Sequence, residues 1–338
     1  MKHLINKDES IFIAGGYGMV GNAIYKKLVD SGYGSSNSVG RLLRPTRNEL
    51  DLTNFNAVDS WFKVNKPNVV IIAAAKVGGI FANNKFPFEF LLENLKIEAN
   101  IIELSKNYGI KRLLFLGSSC IYPKFANQPI KESDLLTDYL EETNQYYAIA
   151  KIAGIKLCES LRKQYNFDAI CLMPTNLYGP NDNYHPTNSH VIPALIRKFD
   201  NAKEKNLPYV SCWGTGKPLR EFLYVDDLAD ACLYALEKWS PKFFKKKLEI
   251  KEHDLCWINV GSNYEVSIRE LANLISKEIG YKGEIQWDES KPDGTPRKKL
   301  DTSRLSNLGW EAKTELSLGI KKTIISYRRE KLTKTNRE

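Results

Sequence analysis

The sequence predicts an α/β protein built on a doubly wound parallel sheet, with a smaller α/β lobe assembled from discontinuous segments. Three observations carry that expectation. A glycine cluster at residues 15–21 sits between a β-rich run and a helical pattern. Apolar runs without alternation occupy residues 69–75, 112–116 and 169–173. Helical patterns at 87–108 and 146–165 separate those runs. A continuous apolar run suits a parallel strand buried on both faces. Strand–helix alternation at this pitch covers such a sheet with helices on both sides.

Taken in order, residues 10–14 read as the first strand. Residues 22–30 read as a helix with Ile24, Leu28 and Val29 on one side. The three apolar runs supply further strands, the last stopped by Pro174. The texture then changes. Residues 176–193 are rich in Asn, Pro, Gly and His, the composition of an ordered functional loop. A helix over 191–201 and a short strand over 209–213 follow. An amphipathic helix over 225–238 is expected to be capped near Asp226. Residues 241–256 read as a charged surface insertion, and 258–260 as a return to the main sheet. Helices over 268–279 and 316–328 close the chain. The expected division is 1–178 with 221–260 as one domain, 179–220 with 261–330 as the second lobe, and 331–338 as a basic tail.

The chain has 338 residues and a formal charge of +9. The basic residues cluster locally, at 245–247, at 297–299 and from 321 onward. No nucleic-acid module accompanies them, so solvated faces explain them and no nucleic acid is expected. No run approaches the ~18 apolar residues of a membrane span. The polar start lacks the apolar core of a signal peptide, so a cytoplasmic address and no membrane partner are expected. Six cysteines, at 120, 158, 171, 212, 232 and 256, show no C-x-x-C spacing. They read as free thiols, mostly in the core, with Cys120 set apart. No metal site is expected.

The glycine cluster has the form Gly15-x-x-Gly18-x-x-Gly21. Between a strand and a helix, such glycines permit a tight turn and let backbone N–H groups reach a pyrophosphate. A dinucleotide on Gly15, Gly16, Tyr17, Gly18, Met19, Val20 and Gly21 follows. Its type is read after the second strand, where an NAD protein usually carries an acid for the ribose 2′-hydroxyl. Here Arg41, Arg44 and Arg47 precede Glu49. Guanidinium forks suit a 2′-phosphate, so NADP(H) is expected on Arg44 and Arg47. Asp51 and Leu52 are placed at the adenine end, although Asp51 reads equally as part of the cap of the helix starting near Asn54.

Tyr147 and Lys151 are spaced i, i+4 and share a helix face. An ammonium near a phenol lowers its pKa and helps it deliver a proton to an alkoxide. Ser118 follows the strand at 112–116, where ligands gather in open α/β sheets. This Ser/Tyr/Lys set resembles the short-chain dehydrogenase/reductase superfamily. Two further groups, Cys120 and His190, make a proton-transfer pair suited to neutral pH. A buried core thiol and a histidine closing a turn read from the same pattern.

Long stretches sharpen the resemblance. Residues 73–84 (AAAKVGGIFANN), 113–123 (LLFLGSSCIYP), 147–160 (YAIAKIAGIKLCES), 174–180 (PTNLYGP), 188–195 (NSHVIPAL) and 220–227 (REFLYVDD) resemble the GDP-L-fucose synthase family of extended short-chain dehydrogenase/reductases. The resemblance implies a Rossmann domain and a GDP-4-keto-6-deoxy-D-mannose substrate. That sugar is epimerised at C3 and C5, then reduced at C4 with NADPH. It also implies Ser118, Tyr147 and Lys151 as the reductive set, with Cys120 as epimerisation base and His190 as acid. NADP(H) would touch the glycine turn, Ala73, Ala74, Ser118, Tyr147, Lys151, Pro174, Thr175, Asn176, Leu177 and His190. The GDP-sugar would touch Ser118, Cys120, Asn176, His190, Lys198, Trp213, Arg220 and Asp293. One departure is visible: Tyr17 stands where relatives often carry a basic residue.

Rival readings are a 4,6-dehydratase, a 4-epimerase, a relative making another deoxysugar such as GDP-L-colitose, and a non-catalytic NADP-binding protein. A dehydratase wants an acid pair after the strand-end hydroxyl, and Ser119-Cys120-Ile121 offers none. An idle sensor has no need of all five candidate catalytic groups. Apolar residues on more than one side of the helix near 86–108 point to a homodimer or to deep burial.

Overall fold

Apolar runs set the sheet. β1 (Ile11–Ala14), β3 (Val69–Ile72), β4 (Arg112–Leu116) and β5 (Ala169–Pro174) are buried along their whole length, so each needs cover on both faces. A computed structural model describes residues 3–241, 255–291 and 293–333. With β2 (Leu42–Leu43) and β9 (Trp257–Val260), these strands form a six-stranded parallel sheet in the order β2-β1-β3-β4-β5-β9. The expected return at 258–260 is β9, one residue longer at its start.

Side chains alternate across this sheet with the strand period of two. Phe12, Val70, Leu113 and Cys171 face a core closed by α2 (Phe55–Asn65), α4 (Pro87–Asn107) and α5 (Gln145–Tyr165). Ile11, Val69, Leu114 and Ile170 face the opposite core, closed by α1 (Met19–Asp30) and α7 (Val225–Lys238). Ile24 and Leu28 of α1 are buried as expected, but Val29 is exposed. The cap of α7 is Tyr224, and Asp226 lies inside the first turn beside Asp227. Carboxylates there complement the positive end of the helix dipole without capping it.

A third core packs α6 (Val191–Glu204), α8 (Ile268–Ile279) and α10 (Leu316–Thr333) around β7 (Tyr209–Trp213) and β8 (Leu219–Tyr224). β8 is the hub of a second sheet. It pairs with β6 (Asn176–Tyr178), β10 (Glu265–Ser267) and β12 (Arg297–Lys298), while β7 pairs with β11 (Glu284–Asp288). The helix expected over 316–328 runs on to Thr333. Lys331, expected in a tail, is therefore helical and ion-paired with Asp200 and Glu204. Residues 242–254, which hold most of the expected insertion and the 245–247 cluster, lie outside the described residues, as do 334–338. Among the described residues no helix is long and apolar enough to cross a membrane.

Candidate active site

The carboxyl ends of β1, β3, β4 and β5 form one rim, the usual ligand edge of an open α/β sheet. At β1 the chain turns through Gly15, whose φ is +80°; an added Cβ there would lie 2.7 Å from the Ala74 backbone. At Gly21 a Cβ would lie 2.1 Å from the Gly15 carbonyl oxygen. The bare turn is thus required by close backbone approach. Helix α1 opens at Met19 with Gly18 as N-cap and no side chain bonded there. Its first N–H groups are left for an anion, and these features fit a dinucleotide pyrophosphate. Arg44 stands against the same turn, its guanidinium 4.6 Å from the Tyr17 ring centroid and 3.5 Å from that of Tyr25. Tyr17 therefore packs against a cation held at the turn. Arg47 is exposed. Asp51 accepts bonds from the Thr53 N–H and hydroxyl, which hold its carboxyl below the usual range, and the cap of α2 is Asn54.

At the end of β4, Ser118 stands beside Tyr147, whose pKa its hydroxyl lowers, and accepts from the Cys120 N–H at 3.2 Å. Lys151 follows one turn along α5, buried, with Nζ 5.9 Å from the Tyr147 ring centroid. The expected lowering of the Tyr147 pKa is not what these surroundings give. Burial raises it, and the negative charges of Cys120 and Glu98 add to the rise, against the Ser118 hydrogen bond. The lysine's charge is met by Glu98 of α4, 2.8 Å from its Nζ. A phenol held protonated is placed to give a proton rather than to take one.

Along the rim, Thr175 and Asn176 both donate side-chain bonds to the Glu221 carbonyl, fixing the link between Pro174 and Leu177. His190 precedes α6 as its N-cap. It opens toward solvent, yet the protein around it desolvates the ring and lowers its pKa from the usual value. Among the described residues no hydrogen bond joins His190 to Cys120 or Tyr147. His185 organises the loop before it: its Nδ1 accepts from the Thr187 and Asn188 N–H groups, each at 3.2 Å.

On the second-lobe side, Lys198 lies 5.5 Å from the exposed Trp213 ring. Gly214 follows Trp213, and a Cβ there would lie 2.2 Å from Asp293 Oδ1. Asp293 accepts from the Thr215 N–H and hydroxyl, each at 2.7 Å, which hold its carboxyl low. Arg220 is desolvated, which lowers its pKa, while the charges of Asp293, Glu141 and Cys120 oppose the shift. The charges of Arg220 and Cys120 thus act on each other. Sequence reasoning missed Glu98, Asn144 and Lys298. The last two reach the Cys120 sulfur from different elements, with Asn144 Nδ2 at 3.4 Å and Lys298 Nζ at 3.7 Å.

A glycine turn, a parallel sheet and a Ser/Tyr/Lys set on one rim define a dinucleotide-binding oxidoreductase of the epimerase type. The chain belongs to the NAD dependent epimerase/dehydratase family, whose model matches residues 11–245. It is 53% identical over 322 residues to GDP-L-fucose synthase 1 of Arabidopsis thaliana, covering 95% of this chain and 94% of that one. It is 50% identical over 315 residues to the GDP-L-fucose synthase of Escherichia coli K12, covering 93% and 95%. A crystal structure of a GDP-L-fucose synthetase from Naegleria fowleri bound to NADP superposes with a TM-score of 0.85 at 25% identity, covering 100% of this chain and 99% of that one. With half its residues shared over nearly its full length, the chain sits among the GDP-L-fucose synthases of that family.

Proposed function

We propose that the chain converts GDP-4-keto-6-deoxy-D-mannose to GDP-L-fucose by epimerisation at C3 and C5 and NADPH-dependent reduction at C4. The observation that carries this is the grouping of Ser118, Tyr147 and Cys120 at the end of β4, where the Ser118 hydroxyl and the Cys120 charge both act on the Tyr147 phenol. The relatives of about 50% identity support the same reading. When bound, the reduced cofactor supplies hydride to C4.

The protein's own groups do the rest. The bare turn at Gly15–Gly21 and the Ala73–Ala74 backbone hold the dinucleotide, with Arg44 at its 2′-phosphate. Ser118 and Tyr147 donate to the C4 oxygen, stabilising an enolate during epimerisation and an alkoxide during reduction. Cys120, as thiolate, takes the proton from C3 and then from C5, leaving the electron pair in the enolate. His190 delivers a proton to the opposite face. Tyr147 finally protonates the C4 oxygen. Arg220, desolvated at the cleft, suits a bidentate grip on the diphosphate, with Trp213, Lys198 and Asp293 completing that wall. In this reading residues 1–178 with 221–260 carry the cofactor, and 179–220 with 261–330 carry the sugar nucleotide. A homodimer through α4 and α5 accounts for the apolar residues they leave exposed, among them Phe88, Ile149 and Tyr165.

The test is loss of NADPH absorbance with and without the keto-sugar nucleotide, followed by product analysis. GDP-L-fucose is the expected product; another deoxysugar, or no consumption, refutes the assignment. Cys120→Ser should lose epimerisation while keeping cofactor affinity.

A further inference from the structure

The cations around Cys120 divide into two kinds. Lys124 is paired with Glu141 at 3.2 Å, Lys151 with Glu98 at 2.8 Å, and Arg297 with Glu265 through two bonds of 2.7 and 2.6 Å. Lys298 is different. Among the described residues no carboxylate pairs with it, and its recorded partner is the Cys120 sulfur, 3.7 Å from Nζ.

Strand geometry explains the difference. β12 runs parallel to β8, with Arg297 opposite Leu219 and Lys298 opposite Arg220. Successive side chains on a strand point to opposite faces. Arg297 turns outward and forks onto Glu265, so Lys298 must turn inward, to the cleft that Arg220 also faces. A second donor arrives independently. Asn144, just before α5, presents Nδ2 to the same sulfur at 3.4 Å. A thiol is a weak acceptor that seldom needs a partner. Two N–H donors, one of them charged and without a carboxylate, suit an anionic sulfur.

We propose that Lys298 and Asn144 are positioning residues that hold Cys120 as a thiolate, ready to take a carbon-bound proton. The proposal rests on Cys120 as the epimerisation base. The other charged or titratable groups near the sulfur are Tyr147 and Arg220, on which its charge acts, with Lys124 and Glu141 beside it and Arg297 lining the same hollow although its guanidinium turns out to Glu265. Three of these are already paired. Arg220 is committed to the diphosphate once the sugar nucleotide binds, which leaves Lys298 as the standing counter-charge. Arg220 and Lys298 are register partners on neighbouring strands. The strand pair that grips the nucleotide therefore also sets the base.

The test measures iodoacetamide alkylation of Cys120 against pH in the full-length protein, with the modified peptide assigned by mass spectrometry. The other five cysteines are buried, so Cys120 is the accessible thiol. The variants are Lys298→Met, Lys298→Arg and Asn144→Ala, each checked for wild-type NADPH affinity to show that it folds. In Lys298→Met the alkylation rate at neutral pH should fall about tenfold, as loss of one charged hydrogen bond to the sulfur would give. Lys298→Arg should restore most of the rate, and Asn144→Ala should lower it by less. Deuterium uptake at C3 and C5 from D2O should fall in parallel with alkylation. Wild-type alkylation and uptake in both Lys298→Met and Asn144→Ala overturn the proposal; if Cys120→Ser has meanwhile lost uptake, the base assignment stands. Normal uptake in Cys120→Ser removes the base assignment itself.

Discussion

Replacing Lys151 by Met strands Glu98 in the interior. Both groups are nearly inaccessible, at 2% and 1%, and their contact is 2.8 Å. Removing one partner of a buried pair costs about 3–5 kcal/mol, because the survivor keeps its charge without compensation. Glu98 can avoid that cost by taking a proton, so the penalty depends on pH. Burial already raises its pKa above 4.5, with Lys151 opposing the shift; removal of the lysine leaves the rise unopposed. A group whose folded pKa lies above its unfolded value contributes stability that is complete below the unfolded value. That contribution is lost as pH rises through the folded one. Stability of Lys151→Met should therefore fall by about 1.4 kcal/mol per pH unit above the ordinary glutamate range. The fall continues until the raised folded value is passed, toward the pair-breaking cost of about 3–5 kcal/mol. Urea unfolding followed by tryptophan fluorescence from about pH 5 to about pH 8 measures it, with Lys151→Met/Glu98→Gln as reference. The double variant should be flat and more stable than the single one at the upper end. A single variant that tracks the double one at every pH would refute the buried-charge reasoning.

Three other outcomes follow from the rim. Gly21→Ala places a Cβ 2.1 Å from a carbonyl oxygen; overpacking of ~1–3 kcal/mol should weaken NADPH binding about 5- to 150-fold in a fluorescence titration. Arg44→Ala should lose about 1.5–3 kcal/mol of NADPH affinity, as a charged hydrogen bond to the 2′-phosphate would supply, while NADH affinity hardly changes; equal losses for both would remove Arg44 from that role. His190 has its pKa lowered from 6.5 by desolvation, so its protonated form declines at lower pH than in an ordinary histidine. Deuterium uptake into the sugar should fall on the alkaline side with a midpoint below that of a free imidazole, and a midpoint above it would contradict the acid role.

The main sheet was legible because β1, β3, β4 and β5 are buried on both faces and so read as unbroken apolar runs. β6 and β12 were not. They have three and two residues, and their pairing is dictated by β8 from elsewhere in the chain. The Ser118, Tyr147 and Lys151 set could be read because its spacing is local. The electrostatics could not, since the i, i+4 lysine was visible while its counter-ion sits on α4. A signal did exist for Glu98: a carboxylate beside Ile97, Ile101 and Ile102 on the buried face of α4 demands a buried cation. Lys298 and Asn144 gave none, because nothing in either local sequence marks a neighbour across the cleft.

The hub position of β8 has a consequence for biosynthesis. Its partners β10 and β12 lie beyond residue 264, whereas the first five strands of the main sheet are complete by Pro174. A nascent chain emerging from the ribosome thus holds those five strands long before the segment that carries Lys298 and Asp293 has been made. Nonsense mutations between Tyr224 and residue 264 should accordingly yield products that hold those five strands and leave β8 without β10 and β12.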